Sequence, residues 1–179
     1  MIRFFFYFLL AFGVFSAHAQ EYSPKDYGIK SKKAFEHFMQ GTKSMGYRGY
    51  TEAINSFAEA LKLEPGFFHA WYHTGECEYL LNQPQKAMPA LLKAQETQKN
   101  APAASITPRF NDLHFYLAQC QIRNANYEKA AESFKTFLSL AVPTNKWIQE
   151  ARTGLLKAEF AKEAVKTPVA FKPVNLGPN

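Results

Sequence analysis

Only two of the 179 residues are cysteine, Cys77 and Cys120, and neither follows the small residues near the amino terminus. That argues against a lipid anchor on a cysteine just behind a leader. Beyond residue 19 no apolar run approaches the roughly 20 residues a helix needs to cross a bilayer. No phosphate-binding glycine loop occurs; Gly41, Gly75 and Gly154 stand alone in helical surroundings. No Ser–His–Asp set and no paired carboxylates can be assigned, so nothing points to an enzyme. Charge of one sign is missing too. The 21 Lys and Arg and 15 Asp and Glu, net +6, are mixed along the chain. Lys30, Lys32 and Lys33 form the tight basic cluster, which a solvated helix start explains as well as a partner site does. With no nucleic-acid-binding motif either, DNA and RNA are not expected partners.

What is present at the start reads as a secretory signal peptide over Met1–Ala19. Arg3 supplies the positive charge, Phe4–Phe15 the apolar stretch, and Ala17-His18-Ala19 the small residues at a cleavage site. A membrane anchor is the alternative, but the apolar stretch is too short for one. Cleavage would leave a net charge of +5 and a periplasmic chain with no membrane-spanning segment.

Self-comparison reveals a repeat. Gly41 and Gly75 are 34 residues apart, as are Ala53 and Ala87, Phe57 and Leu91, and Ala60 and Ala94. A third copy keeps the order 43 later, with Ala118, Ala130, Phe134 and Phe137. The additional residues have a visible source. Asn100–Pro108 holds two prolines and no helical periodicity, and reads as an inserted loop. Within the copies, Ala53-Ile54-Phe57-Ala58-Ala60-Leu61 and Ala130-Ala131-Phe134-Phe137-Leu138 each mark one apolar helix face. Pro65 ends a helix and pushes Glu64 out of helical geometry.

A 34-residue period with these residues resembles the tetratricopeptide (TPR) repeat, whose pattern is W-x2-L-G-x2-Y, then A-x3-F, then P. The second copy keeps Trp71 and Gly75, with Thr74 and Glu78 in place of Leu and Tyr. The first keeps Gly41, Ala53, Phe57, Ala60 and Pro65, and the third Leu117, Ala118, Ala130 and Phe134. The resemblance implies an all-α fold, a right-handed α–α superhelix of three helical hairpins at about 34–67, 68–101 and 111–144. Such a stack needs a solvating last helix. Pro143-Thr144-Asn145 is a start signal, and Trp147, Ile148, Ala151, Leu155 and Ala158 mark one face of a helix over Thr144–Val165. The organisation is then a leader at 1–19, an extension at 20–30, the repeat domain at 31–166 and an extended tail at 167–179. Phe171–Asn179 resembles the segment leading into the β-propeller of TPR–propeller–OmpA-like envelope proteins of Bacteroidetes-type bacteria. Some of those serve type IX secretion or gliding.

In TPR proteins the first helix of each repeat lines a concave groove. By that resemblance the groove would show Phe38, Thr42 and Met45, then His69, Tyr72, His73, Glu76 and Tyr79, then Asp112, Phe115, Tyr116, Gln119 and Arg123. Rigid aromatics with polar tips suit peptide recognition; packing between helices is the other reading of each ring. The Lys, Asn and Arg clamp that holds chaperone tails in some TPR domains is absent, since Phe38, Thr42, His73, Asp112 and Tyr116 stand at those positions. His69, His73 and Glu76 share a helix face at i, i+4 and i+7, where zinc is conceivable. The H-E-x-x-H glutamate is missing, and a polar groove wall is the simpler reading. No cofactor is implied. Cys77 and Cys120 fall at one register position of successive repeats, where helices some 8–10 Å apart disfavour a disulfide. The sequence therefore points to a non-catalytic interaction scaffold of the cell envelope that binds a peptide or protein. Its alternative is a spacer or docking platform within a larger peptidoglycan-associated protein. It names neither the partner nor the oligomeric state.

Overall fold

The computed structural model describes residues 22–166; the leader expected at 1–19 and the tail at 167–179 lie outside them. The described chain is all helix and turn, as the periodicity requires. Its helices are α1 (Lys32–Gly46), α2 (Tyr50–Leu63), α3 (Phe68–Leu80), α4 (Pro84–Thr97), α5 (Asp112–Arg123), α6 (Tyr127–Leu140) and α7 (Ile148–Lys166). Each is paired with the next along the chain, and α1, α3, α5 and α7 also meet one another in succession. The first helices of the hairpins thus form one face of the stack.

The repeat is written into the turns as well as the helices. Among the described residues, Arg48, Asn82 and Ala125 are the non-glycine residues with positive φ, at 60°, 58° and 55°. They occupy equivalent places at the end of α1, α3 and α5. Behind each, the next residue closes the helix by donating to a carbonyl five residues back. Gly49 N donates to Ser44 O at 2.9 Å, Gln83 N to Glu78 O at 2.9 Å, and Asn126 N to Gln121 O at 2.8 Å. This is the Schellman cap, in which a left-handed residue reverses the chain and satisfies the last carbonyls.

The small residues that revealed the period sit at close approaches. Ala53, Ala60, Ala87, Ala94, Ala118 and Ala130 are fully buried. A methyl on Gly41 would collide with the Phe57 ring, and one on Gly75 would lie 2.5 Å from Leu91 Cγ. Gly154 of α7 meets the Phe134 ring in the same way, so α7 packs on α6 through a surface like the earlier ones. Each hairpin hides its apolar side against the next. Ala70 and Cys77 of the second hairpin belong to the core of the first, with Phe67 just before α3, and Trp71 packs against both cores. Glu64 is extended, with φ −136° and ψ 79°, in front of Pro65, as the ring of Pro65 demands.

The loop expected over Asn100–Pro108 is built around single 3-10 turns, Gln98–Asn100, Ala103–Ser105 and Pro108–Asn111, and two other expectations need correction. Short runs without apolar periodicity still close i to i+3 hydrogen bonds. The last helix starts at Ile148, not Thr144. Asn145 Oδ1 accepts from Trp147 N at 2.9 Å and holds a turn there, so Trp147 reaches the core from outside the helix. Finally, the outer side of α7 is not wholly solvating. Leu156 and Phe160, 69% and 77% exposed, lie one turn apart on it.

Candidate functional site

The face built by α1, α3, α5 and α7 is where the groove was expected, and the structure divides the expected residues into two groups. Tyr72 and Phe115 have no exposed surface, and Phe38 and Tyr116 almost none. The Phe115 ring stacks on Trp147 with centroids 4.7 Å apart, and Tyr72 meets Phe110 edge-on at 4.9 Å. Tyr72 and Phe115 are core residues, not groove floor. Phe110 and Trp147, from the segments that follow α4 and α6, cover these two rings. Thr42, Met45, Tyr79 and Gln119 are half-buried and Arg123 is exposed. They form the open part of the face. The Tyr79 and Tyr116 rings are 5.0 Å apart, and Arg123 lies over the Tyr79 ring at 6.0 Å. Arg123 also donates to Asn82 Oδ1, and Gln119 Nε2 donates to Glu150 of α7 at 2.7 Å.

Beneath the open face runs a buried polar line. Glu76 Oε2 pairs with His73 Nδ1 at 2.9 Å, while its Oε1 accepts from Tyr116 OH at 3.3 Å and Arg109 Nη2 at 3.4 Å. Burial alone would push the Glu76 carboxyl up. The His73 hydrogen bond and charge, with Arg109, outweigh it and hold the group below its ordinary range. Asp112 turns the other way, raised by burial although Asn145 Nδ2 donates to it at 2.6 Å. Both carboxylates are engaged inside the protein.

His69 and His73 do lie on one helix face, but each has its own partner. His69 Nε2 meets the Ser105 carbonyl at 3.2 Å, and a carbonyl only accepts, so Nε2 carries the proton. Nδ1 is left a bare, buried lone pair with no partner among the described residues. Burial drives this imidazole down to about 4, so it is neutral at pH 7. Among the described residues no group of three or more His, Cys, Asp and Glu is placed to hold a metal ion. Cys77 and Cys120 are both free and buried.

One concavity has walls that the repeat pattern did not reveal. A cavity of about 750 Å³ opens over α1 and α3, with Phe38, Thr42, His69 and His73 on its floor. One wall is the chain before α1. Ser23 starts a 3-10 turn, Pro24–Tyr27, whose Asp26 Oδ2 accepts from Ser23 N at 2.7 Å. Gly28 ends it at φ 71°. Glu64 Oε1 then accepts from Lys30 N at 2.9 Å and Ser31 N at 2.8 Å, tying this strap to the end of α2. The Tyr27 ring packs 4.8 Å from His69 and 5.2 Å from Phe38. The insert supplies the other wall through Pro102, Ser105, Arg109 and Phe110. The sequence reads only as an extension over 20–30, although Ser23, Pro24, Asp26 and Gly28 carry the chemistry of a capped turn. Nothing local to the insert indicated that it folds back over His69.

Residues 39–105 match the family model described as tetratricopeptide repeat. A search of curated protein sequences gave no match. Among solved structures, the TPR2B domain of yeast Sti1 in a pHsp70 complex is similar at 20% identity and TM-score 0.55, over 73% of this chain and 98% of that one. The Sgt2 TPR domain of Aspergillus fumigatus gives 14% and 0.56, over 84% and 94%. The Yersinia enterocolitica type III secretion chaperone SycD, in complex with a peptide of the translocator YopD, gives 14% and 0.56, over 74% and 97%. At these identities the likeness is one of fold.

Proposed function

We propose that this chain is a non-catalytic protein-interaction module that holds a peptide or protein segment of the cell envelope on the face of α1, α3, α5 and α7. The observation that carries the reading is the concave surface itself. It is half-exposed at Thr42, Tyr79 and Gln119 and exposed at Arg123, and it deepens at one end into the cavity between strap and insert. Two solved structures with this fold, the Sti1 domain and SycD, are in complexes with pHsp70 and with a YopD peptide. The partner here differs from a chaperone tail, since Phe38, Thr42, His73, Asp112 and Tyr116 stand where the clamp residues would be. The leader-like Met1–Ala19 directs the search to exported proteins.

The test is an array of overlapping peptides from exported proteins, probed with the full chain and with the Tyr79→Ala and Arg123→Glu variants. These two residues are not fully buried, so their loss leaves the stack intact, unlike loss of Tyr72. A defined peptide set that both variants lose is expected. Binding that neither variant alters would refute a groove site.

A second reading, a docking platform for a further domain, draws support from Leu156 and Phe160 on the outer side of α7. The end of a helical stack is ordinarily polar there. A coding sequence that continues past Asn179 into a propeller would favour it.

A further inference from the structure

A helical repeat stack is ordinarily closed by a polar outer face, and α7 does not supply one. Its small residues point back into the stack. Ala151 and Ala158 are fully buried, and Gly154 meets the Phe134 ring of α6. The opposite side carries the row Leu156, Phe160 and Ala164, each one helical turn from the next, and all three are exposed.

Register along the stack identifies this side. Gly154 meets Phe134, and His73 of α3 stacks on Phe57, the equivalent ring of the first hairpin, at 5.8 Å. Counting on from those two residues, Leu156 stands where α3 has Gly75, and Phe160 where it has Tyr79. Gly75 is the point at which α4 closes on α3, through Leu91. So α7 turns outward the face on which the second helix of a hairpin would lie. Leu156 bars any helix from coming as close as Gly75 allows.

Size and neighbourhood select what covers the face. Leu156 and Phe160 offer on the order of 300 Å², about half of the roughly 600 Å² per partner at the low end of specific interfaces, which is too little for a second copy of the chain. The chain itself continues from Lys166 as Thr167-Pro168-Val169-Ala170-Phe171-Lys172-Pro173. Pro168 does not continue a helix, and each proline favours extended backbone in the residue before it. On an extended chain Val169, Phe171 and Pro173 share one side at intervals of about 6.6 Å. On the helix Ala164, Phe160 and Leu156 follow at intervals of about 6.0 Å. The reach is sufficient as well. Phe160 lies about 9 Å back along α7 from Lys166, and the five residues to Phe171 span up to about 17 Å, enough to round the helix end and return.

We propose that the tail folds back on α7 as an extended segment, Val169 against Ala164, Phe171 against Phe160 and Pro173 against Leu156, in the place of the absent second helix. Tethering makes so small a contact effective, because a segment joined directly to α7 meets the face at a millimolar effective concentration. The docked tail then belongs to the repeat domain, and whatever is joined beyond it is mounted on α7 instead of hanging from a loose linker. This is independent of what the concave face binds.

Thermal unfolding of the purified full chain and one local probe test it. On a face open to water, Phe160→Ser and Phe171→Ser would each leave Tm within about 2 °C. With the tail docked, each should lower it by about 3–6 °C, and the double variant by no more than the larger single loss. The local probe is 5-fluorotryptophan incorporated into Phe171→Trp, read as the fluorine resonance additional to those of Trp71 and Trp147. It should differ from that of the same tail as a blocked peptide, and move to the peptide position when Leu156→Ser and Phe160→Ser are added together. A resonance already at the peptide position in the otherwise unchanged chain would overturn the proposal, as would single losses that add in full in the double variant. Sedimentation showing a dimer that Phe160→Ser dissolves would give the face to a second copy and overturn it too.

Discussion

Placing a methyl group on Gly75 tests the packing on which the whole stack depends. Helix propensity alone makes glycine to alanine inside a helix stabilising by about 1 kcal/mol. In α3 that gain meets an obstacle. The new Cβ would lie 2.5 Å from Leu91 Cγ, 2.6 Å from its Cδ2 and 3.2 Å from its backbone N. Leu91 is fully buried, and its backbone cannot turn aside as a side chain can. Overpacking of this kind costs about 1–3 kcal/mol, so Gly75→Ala should come out destabilising by about 1–2 kcal/mol. Gly46, the last residue of α1, has nothing within 4 Å of the same built atom. Gly46→Ala should therefore stabilise, by about 0.5 kcal/mol. Urea denaturation of both variants gives the comparison directly. A double-mutant cycle sharpens it, because Leu91→Ala by itself costs about 2–5 kcal/mol. In that background the two side-chain clashes are gone and only the 3.2 Å approach to the backbone N of residue 91 remains, so Gly75→Ala should become near neutral, a coupling of at least about 1 kcal/mol. If Gly75→Ala stabilises the parent protein as Gly46→Ala does, α3 and α4 are not held at the distance described.

Two further outcomes follow from backbone and burial. Ala125 holds φ 55° without the side-chain amide that helps Asn82 at 58°. A left-handed L-residue costs about 1–2 kcal/mol. Ala125→Gly should thus raise stability by up to about 1 kcal/mol, after the glycine's extra freedom when unfolded is set against it, with the denaturant slope unchanged. Burial pushes the Cys77 thiol up to about 12 and Cys120 up to about 11. At pH 8 neither should react with a disulfide reagent except through unfolding, so labelling should accelerate with urea; rapid labelling in native buffer would contradict the buried placement.

The fold was legible because the repeat states each constraint three times. Ala53, Ala87 and Ala130 mark one place in three hairpins, and Gly41 and Gly75 mark the approach of first helix to second. Even the left-handed turns at Arg48, Asn82 and Ala125 fall in register, although their residue types gave no hint of it. The site was legible only in outline. Tyr72 and Tyr79 lie seven residues apart on one helix, nearly in line, yet Tyr72 is sealed by Phe110 and Tyr79 is half open. Which ring of such a line meets solvent depends on what the next segment lays over it. That segment, Phe110 with the insert behind it, has no counterpart in the other repeats. The strap carries its own turn chemistry at Ser23, Asp26 and Gly28, but its destination is fixed by contacts of Lys30 with Glu64 and of Gly28 with Pro102, 34 and 74 residues further on. Local pattern holds no record of such meetings.

The His69 hydrogen bond to the insert gives this long-range closure a pH signature. The folded state holds His69 down at about 4, first through burial and further through His73, with the Ser105 hydrogen bond a partial offset. In the unfolded chain an imidazole takes its proton near 6.5. A group lowered on folding resists a proton that the unfolded chain accepts. Its contribution is therefore complete above pH 6.5 and is lost as the pH falls from 6.5 towards 4. Between pH 7 and 5 the loss should reach about 2 kcal/mol, at 1.36 kcal/mol per pH unit of full proton uptake. Most carboxylates titrate below this window, Glu76 lower still because it is held down; Asp112 and Glu78, raised by burial, take protons first in the folded state and so oppose the decline, which the histidines set. His114 is lowered as well, by burial, so it adds in the same direction. The two are separated by substitution. His69→Phe gives up the bond to Ser105, about 1 kcal/mol at pH 7, but should flatten most of the decline, while His114→Phe should leave the larger part of it. Equilibrium unfolding in urea at pH 7, 6 and 5 measures both. A decline that survives His69→Phe unchanged would mean that the imidazole is not enclosed by Tyr27, Phe110 and the insert, and the cavity would lose its wall.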